Sequence, residues 1–443
     1  MARRKKEPLL KDTGDTTEDG SVQKTAKKSK AIVVDNPVDN NVLSVDFVKL
    51  LNSHIIAEAK LLDIDLEIGL GNNKFMLSSG SLAYDLIAGG GFVYPGRRTN
   101  LFGKEQGGKS LFSYYAIKDA IDKKVVVIFY DYEGTTELSR LEKIGVKVDW
   151  SVEKKNKEPV YFWYVNDLVT GEQAFRHSRR IMRKLPKRKD GYPSLLIVLD
   201  SIPAMNPQVS DEKDESKQTA QLAAMLSREF PKVKSLLASR RVSWLDTNQL
   251  RDRPGHSYGT PEYEVGGYAT RHYGDIRTKV TRVSNPNSWG KGIIEEEKSI
   301  EGGTDRYNYI KVDILKNKLF VPFKSCYVRV LFEHNSKPYG IIDPFYDVYE
   351  YLTKTGQLVR GSKRMLTVSL EGYEGTYQWS KFKKLVLENK DEIYALLREQ
   401  LFSGKAVDLL FSTDSGLSAE DISKDDVEDI DDPDEDNEEE ISY

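Results

Sequence analysis

One segment constrains this chain more than any other: Gly103-Lys104-Glu105-Gln106-Gly107-Gly108-Lys109-Ser110. It fits Gly-x-x-x-x-Gly-Lys-Ser, a loop whose backbone N–H groups turn inward around a phosphate, with a lysine reaching the outer phosphates and a hydroxyl facing Mg²⁺. Its setting agrees. The β-rich run Thr99–Phe102 precedes it, and a helical pattern over 110–122 follows, so the anion would sit at a helix N-terminus. Gly103, Lys104, Glu105, Gln106, Gly107, Gly108, Lys109 and Ser110 are therefore the expected nucleotide ligands, and ATP with Mg²⁺ is the expected cofactor pair.

The loop opens an alternation that fixes the fold class. Strand-like runs at Val125–Tyr130, Val160–Val165, Leu195–Leu199 and Val242–Thr247 alternate with helical patterns at 135–145, 171–185 and 218–239. This predicts an α/β core with a central, mostly parallel sheet covered on both faces. Runs at 276–283, 308–316 and 326–333 lack long helices between them and predict an antiparallel extension. Ser79-Gly80-Ser81 reads as a helix cap before Leu82–Ala88, which Gly89-Gly90-Gly91 ends. From Asp343 a small C-terminal α/β unit is expected, with helices over Tyr346–Leu352 and Trp379–Gln400 and a β-like piece at Met365–Ser369. The predicted organisation is a polar, disordered arm (1–40), a helix-bearing segment (41–72, apolar spacing over 43–62), the core (73–342), the small domain (343–411) and an acidic, disordered tail (412–443).

Charge is segregated along the chain. The net charge is −3, but 414–443 holds fifteen acidic residues and one lysine, so 1–413 carries an excess of eleven positive charges. A basic body with an acidic tail suits a polyanion-binding protein, although acidic tails also serve solubility alone. Cys326 is the sole cysteine and the five histidines show no zinc spacing, which excludes an internal disulfide and a cysteine metal cluster. Cys326 reads as a buried strand residue. The opening Met1-Ala2-Arg3-Arg4-Lys5-Lys6 is basic with no apolar run behind it, and nothing approaches the ~18 apolar residues of a membrane span. A soluble, cytoplasmic protein without a membrane partner is expected.

Three further elements carry chemistry. Leu195-Leu196-Ile197-Val198-Leu199-Asp200 is a doubly buried strand ending in an acid, so Asp200 would join Ser110 in holding Mg²⁺. Val125–Tyr130 runs into Asp131-Tyr132-Glu133, which makes Glu133 the candidate general base for water. Trp244-Leu245-Asp246-Thr247-Asn248-Gln249 is a strand ending in amides, and Gln249 could sense the γ-phosphate.

In this order these elements resemble the RecA family of recombinases, nearest to RecA and its bacteriophage counterparts of the UvsX type. Thr170-Gly171-Glu172-Gln173-Ala174, Asn248-Gln249-Leu250-Arg251, Gly266-Gly267 and Leu315-Lys316-Asn317-Lys318 followed by Pro322-Phe323 carry the same likeness, which spans about Ser79 to Leu401. The resemblance implies a DNA-dependent ATPase that forms filaments on single-stranded DNA and exchanges strands with a duplex. It implies self-association, with single-stranded DNA-binding and mediator proteins as further partners. By the same resemblance Lys109, Glu133, Gln249, Lys316 and Lys318 are catalytic, the last two acting on a neighbouring copy's ATP. Glu137 and Arg140 would contact adenine, and the helix in 43–62 would pack on the next subunit or, alternatively, on its own core.

The implied DNA loops are roughly 206–217 and 251–266. The second reads well from its own residues: Arg251, Arg253, His256, Tyr258 and Tyr263 alternate with Gly255, Gly259 and Pro261, placing cations for phosphates and aromatics for bases. There are departures. The first loop contains Asp211, Glu212, Asp214 and Glu215; Met225 stands where the family has a DNA-touching arginine, with Arg228 near by; Lys104-Glu105-Gln106 replaces the usual Pro-Glu-Ser-Ser run; and 284–303 carries extra residues. Arg176–Lys189 is densely basic, a solvated face or a second duplex-binding face. Two other functions share parts of this pattern. One is a ring-helicase motor, which ordinarily uses an arginine finger and an N-terminal collar. The other is a DNA-coating filament protein that binds ATP without hydrolysis, for which Glu133 would be superfluous.

Overall fold

The computed structural model describes residues 75–414 apart from 135, 137, 147–159, 187–192, 209–214, 253–261, 287–293, 299–302, 336 and 362–364. The chain divides into two units, Met1–Leu66 and Glu67–Tyr443, and every described residue lies in the second. The arm and helix expected in 1–72, and the tail beyond 414, lie outside the described residues.

The expected alternation is present. Strands β1 (Arg98–Gly103), β2 (Val127–Asp131), β3 (Phe162–Val165), β4 (Leu195–Asp200) and β5 (Val242–Asp252) run parallel in the order β1-β5-β4-β2-β3. Between them lie α2 (Lys109–Asp122), α3 (Leu138–Lys143), α4 (Gly171–Lys184) and α5 (Glu215–Arg240), after an initial α1 (Leu82–Ala88). Successive strand side chains point to opposite faces. Val127 and Phe129 therefore join one apolar cluster with Ala116 and Ile117 of α2. Ile128 and Tyr130 join another with Phe175 of α4 and Phe230 of α5. β2 and β4 are buried along their whole length, which is why they read as continuous apolar runs.

The sheet continues through β7 (Ile276–Val283), β9 (Thr304–Asn317), β10 (Lys324–His334) and β11 (Lys337–Ile342) on the far side of β1. Here the expectation needs correction. β9, β10 and β11 are antiparallel, but β7 pairs parallel to β1. A parallel pairing requires the chain to cross back. The crossing is made by a short β6 (Glu262–Glu264) and α6 (Gly267–Tyr273), a helix too brief to show a period in the sequence. Part of the stretch read as an insertion is built in: β8 (Glu295–Lys298) pairs with β9, and Glu297 accepts from Arg329 and from Lys383 at 2.6 Å.

The C-terminal part holds α7 (Pro344–Lys354), a small antiparallel sheet of β12 (Leu358–Arg360), β13 (Met365–Val368) and β14 (Gly375–Gln378), then α8 (Trp379–Glu388), α9 (Lys390–Ser403) and α10 (Lys405–Asp414). The single helix expected over 379–400 is two, separated at Asn389, and α10 runs on past Phe411. Ser81 caps α1 by accepting from Tyr84 N–H, and Gly89 closes it in the left-handed region at φ 94°. Buried Asp347 of α7 accepts from Ser81 Oγ at 2.5 Å, Leu82 N at 2.9 Å and Tyr394 OH at 2.9 Å, so one carboxylate ties α1, α7 and α9 together. Cys326 is buried in β10, as its sequence context suggested.

Candidate nucleotide site and the hairpin beside it

Because β1, β5, β4 and β2 are parallel, their C-terminal ends meet at one edge, the place where such sheets bind ligands. The register pairs Gly103 with Gln249, Leu199 with Asp246, and Asp131 with Asp200. The phosphate loop, Asp200, the Asp131–Glu133 turn and Gln249 thus converge by strand geometry alone.

The loop leaves β1 close against β7. A Cβ on Gly103 would stand 2.1 Å from Val280 O, and one on Gly108, at φ 98°, 2.3 Å from Ile310 Cδ1. Side chains are excluded there, by the β7 backbone at Gly103 and by the Ile310 side chain at Gly108, so the glycines answer to packing as much as to any ligand. Gly108 is the N-cap of α2 and offers no side-chain cap, which leaves the first-turn N–H groups available to an anion. Lys109 is buried; its Nζ donates to Gly103 O at 2.9 Å and Lys104 O at 2.7 Å. Burial lowers its pKa, and Asp200, Glu133 and Glu105 oppose that shift.

Asp200 is the polar centre. Its Oδ2 accepts from Ser110 Oγ at 2.9 Å and its Oδ1 from Thr247 Oγ1 at 2.5 Å. Burial pushes its carboxyl up to about 6; the charges of Glu133 and Asp131 add to the shift, and the Thr247 and Ser110 hydroxyls oppose it. Glu133 is exposed beside it and accepts from Ser201 Oγ at 2.5 Å. Asp131 shapes that turn: it accepts from Glu133 N at 3.1 Å, Gly134 N at 2.9 Å and Tyr164 OH at 2.8 Å. Thr247, Ser201, Asp131 and Tyr164 were not singled out from the sequence. Ser201 adjoins one quoted motif and Thr247 lies inside another, but hydroxyls at strand ends are too common to signal a role.

Among the described residues no group of three or more His, Cys, Asp and Glu side chains could hold a metal. Mg²⁺ does not need one: it ordinarily takes one or two carboxylates, waters and substrate phosphates. Ser110 and Asp200, in a pocket of mutually repelling carboxylates, fit that donor set and would hold the ion, which would supply charge neutralisation for phosphates.

Gln249 leads straight into a β-hairpin. Val265 N–H donates to Gln249 O at 3.3 Å, and Asn248 Nδ2 donates to Val265 O at 2.9 Å. Beyond these bonds Leu250 faces Glu264, and exposed Arg251 faces Tyr263. Arg253, Tyr258 and Glu137 lie outside the described residues. Arg140 is exposed on α3. Arg228 is exposed on α5, 4.0 Å from Glu172. Met225, by contrast, is fully buried, with its side chain against Gly171.

Lys316 and Lys318 do not reach the loop within one chain. Lys316 lies level with Arg277 and so with Asn100, three residues before Gly103, roughly 10 Å lower along the strand. Its Nζ donates to Arg271 O at 3.1 Å and His272 O at 3.2 Å, while Lys318 pairs with Asp275 at 3.6 Å. Burial, then Lys318 and Arg277, lower the Lys316 pKa.

A phosphate loop at the carboxyl edge of a parallel sheet, an acid on the next-but-one strand and a carboxylate beyond it define a P-loop α/β protein of the nucleoside-triphosphate-binding class. The comparisons narrow the class. A model of the RecA N-terminal domain matches residues 69–336, and the chain belongs to the RecA family. Protein RecA of Mesoplasma florum is 28% identical over 324 residues, covering 72% of this chain and 87% of that protein. Protein RecA of Treponema denticola is 24% identical over 385 residues, covering 85% and 82%, and that of a Wolbachia from Brugia malayi 26% over 349, covering 79% and 85%.

Proposed function

We propose that this chain is an ATP-dependent DNA recombinase, kin to the bacteriophage UvsX type, which forms filaments on single-stranded DNA in the cytoplasm and pairs that strand with a homologous duplex. One observation carries the reading most: Gln249, level with Gly103 of the phosphate loop, and Arg251, on the hairpin expected to meet DNA, are two residues apart on one strand. Nucleotide and DNA contacts then share a rigid element. In this reading Lys109 and the loop backbone hold the phosphates, and Ser110 and Asp200 hold Mg²⁺. Glu133, oriented by Ser201, takes a proton from water. Arg140 and Glu137 contact the base. Lys316 and Lys318 complete the site of a neighbouring copy, and single-stranded DNA-binding and mediator proteins assist loading. The test is an ATPase assay with and without single-stranded DNA, followed by a joint-molecule assay with homologous duplex. DNA-stimulated hydrolysis and joint molecules are expected. Stimulated hydrolysis without joint molecules would favour a helicase-type motor, and filaments without hydrolysis a DNA-coating protein.

A further inference from the structure

Lys104 stands in the phosphate loop where the family resemblance leads one to expect proline, and the structure gives its two ends different partners. Its backbone carbonyl accepts from Lys109 Nζ at 2.7 Å and from Gly107 N at 3.3 Å. Its side chain, 62% exposed, pairs through Nζ with Glu262 Oε1 at 2.7 Å. Glu262 opens β6, the strand that returns from the hairpin tip, and lies opposite Asp252. Its second oxygen is 3.8 Å from Lys279 Nζ of β7, level with Phe102 and next to the Val280 carbonyl on which Gly103 rests. Glu262 is thus clamped between two lysines, one on the phosphate loop and one on the strand that supports it.

We propose that the Lys104–Glu262 pair is a positioning link that reports the state of Lys109 to the hairpin, in parallel with the Gln249 route. It rests on the function proposed above. The path is short. When the Lys109 ammonium is drawn from the Lys104 carbonyl toward an anion in the loop, that carbonyl loses its charged donor and the Lys104 backbone is free to turn. The side chain on the same residue then shifts or releases Glu262, and the returning strand of the hairpin changes its tether. The residue that buffers Lys109 is the residue that holds the hairpin, which a proline could not do. Because Lys104 is largely solvent-exposed, the link acts as a bias that salt weakens.

The test uses the full chain. Dissociation constants for a fluorescent single-stranded oligonucleotide are measured with Mg²⁺ and a slowly hydrolysed ATP analogue, and with Mg²⁺ and ADP. Their ratio is the coupling. Amide exchange of the peptide spanning 253–266 is followed with and without the analogue, in the absence of DNA. Glu262→Gln should leave analogue affinity within about twofold while cutting the coupling ratio by about two- to fivefold. It should also reduce, without abolishing, the effect of the analogue on exchange in 253–266, because the Gln249 route remains. Lys104→Gln, which keeps the backbone carbonyl, should cut the ratio as Glu262→Gln does, and the two changes together no further; the second variant keeps the test alive if the first folds poorly. The wild-type ratio should fall as salt rises. Unchanged coupling and exchange in Glu262→Gln, or a double change whose effect is the sum of the two single ones, would overturn the link while leaving the proposed function intact. A wild-type chain with no nucleotide dependence of DNA binding would overturn both.

Discussion

Asp200 shows how much one buried carboxylate is asked to do. It is held by two hydroxyls, crowded by Glu133 and Asp131, and shifted to about 6 from an ordinary 3.8. A raised carboxyl pKa has a definite sign for stability. Between 3.8 and about 6 the folded chain keeps a proton that the unfolded chain has lost, so the stability attributable to Asp200 falls as pH rises through that window. Above it the charge stays buried at full cost. Asp200→Asn removes the titration and retains an acceptor for one hydroxyl. In urea unfolding without nucleotide, the variant's advantage over wild type should grow between about pH 4 and pH 7, by up to ~3 kcal/mol. ATP turnover should be lost. A difference independent of pH would mean that the carboxyl is not perturbed. The exposed Glu133 predicts the opposite pattern. Glu133→Gln should leave stability unchanged and slow hydrolysis by ~10²-fold or more, with DNA-bound assemblies persisting. Normal turnover would place the base elsewhere.

At the scale of elements, α5 explains why an arginine expected from the family cannot sit at 225. Met225 lies under α4, where even a Cβ on Gly171 would come within 2.6 Å of Met225 Cε. The helix pair packs too closely there for a long charged side chain. Met225→Arg should therefore destabilise the fold by roughly 3 kcal/mol or more, through an unpaired buried charge, without raising DNA affinity. Arg228 projects from the same helix into solvent. Arg228→Ala should leave the melting temperature unchanged, weaken binding across DNA sequences, and lower the salt slope by about one counterion. A role confined to its pair with Glu172 would leave DNA binding untouched. These two residues also mark what the sequence could tell. The strands, the phosphate loop and Asp200 were legible because doubly buried strands and glycine loops leave continuous patterns. The direction of β7 was not, since it depends on the seven-residue α6. Nor were the Ser201–Glu133, Thr247–Asp200 and Lys104–Glu262 contacts, which join residues from separate elements through exposed or common side chains. The burial of Met225 is likewise a property of how α4 meets α5.

At the scale of the whole molecule, two lysines stand below the phosphate loop along the strands, each with partners in its own chain. Lys316 closes the carbonyl end of α6, and Lys318 shares Asp275 with Lys234. Burial and mutual repulsion lower the Lys316 pKa, so an anion brought to it would be favourably received. If a neighbouring copy supplies that anion, the interface is head-to-tail, and each site takes Lys109 from one chain and the lysine pair from the next. Two inactive variants should then complement each other. Lys109→Ala spoils the loop of its own chain, and Lys316→Ala with Lys318→Ala spoils the site of its neighbour. In a random equal mixture, about a quarter of interfaces join an intact loop to an intact lysine pair in a head-to-tail assembly. DNA-stimulated ATPase should therefore return to about that fraction of wild type, at chain concentrations where each variant alone is silent. Lys316 also braces α6, so thermal melting must show the double variant folded before it is mixed. Failure to complement, with both variants folded and bound to DNA, would confine the lysines to bracing α6 and pairing Asp275.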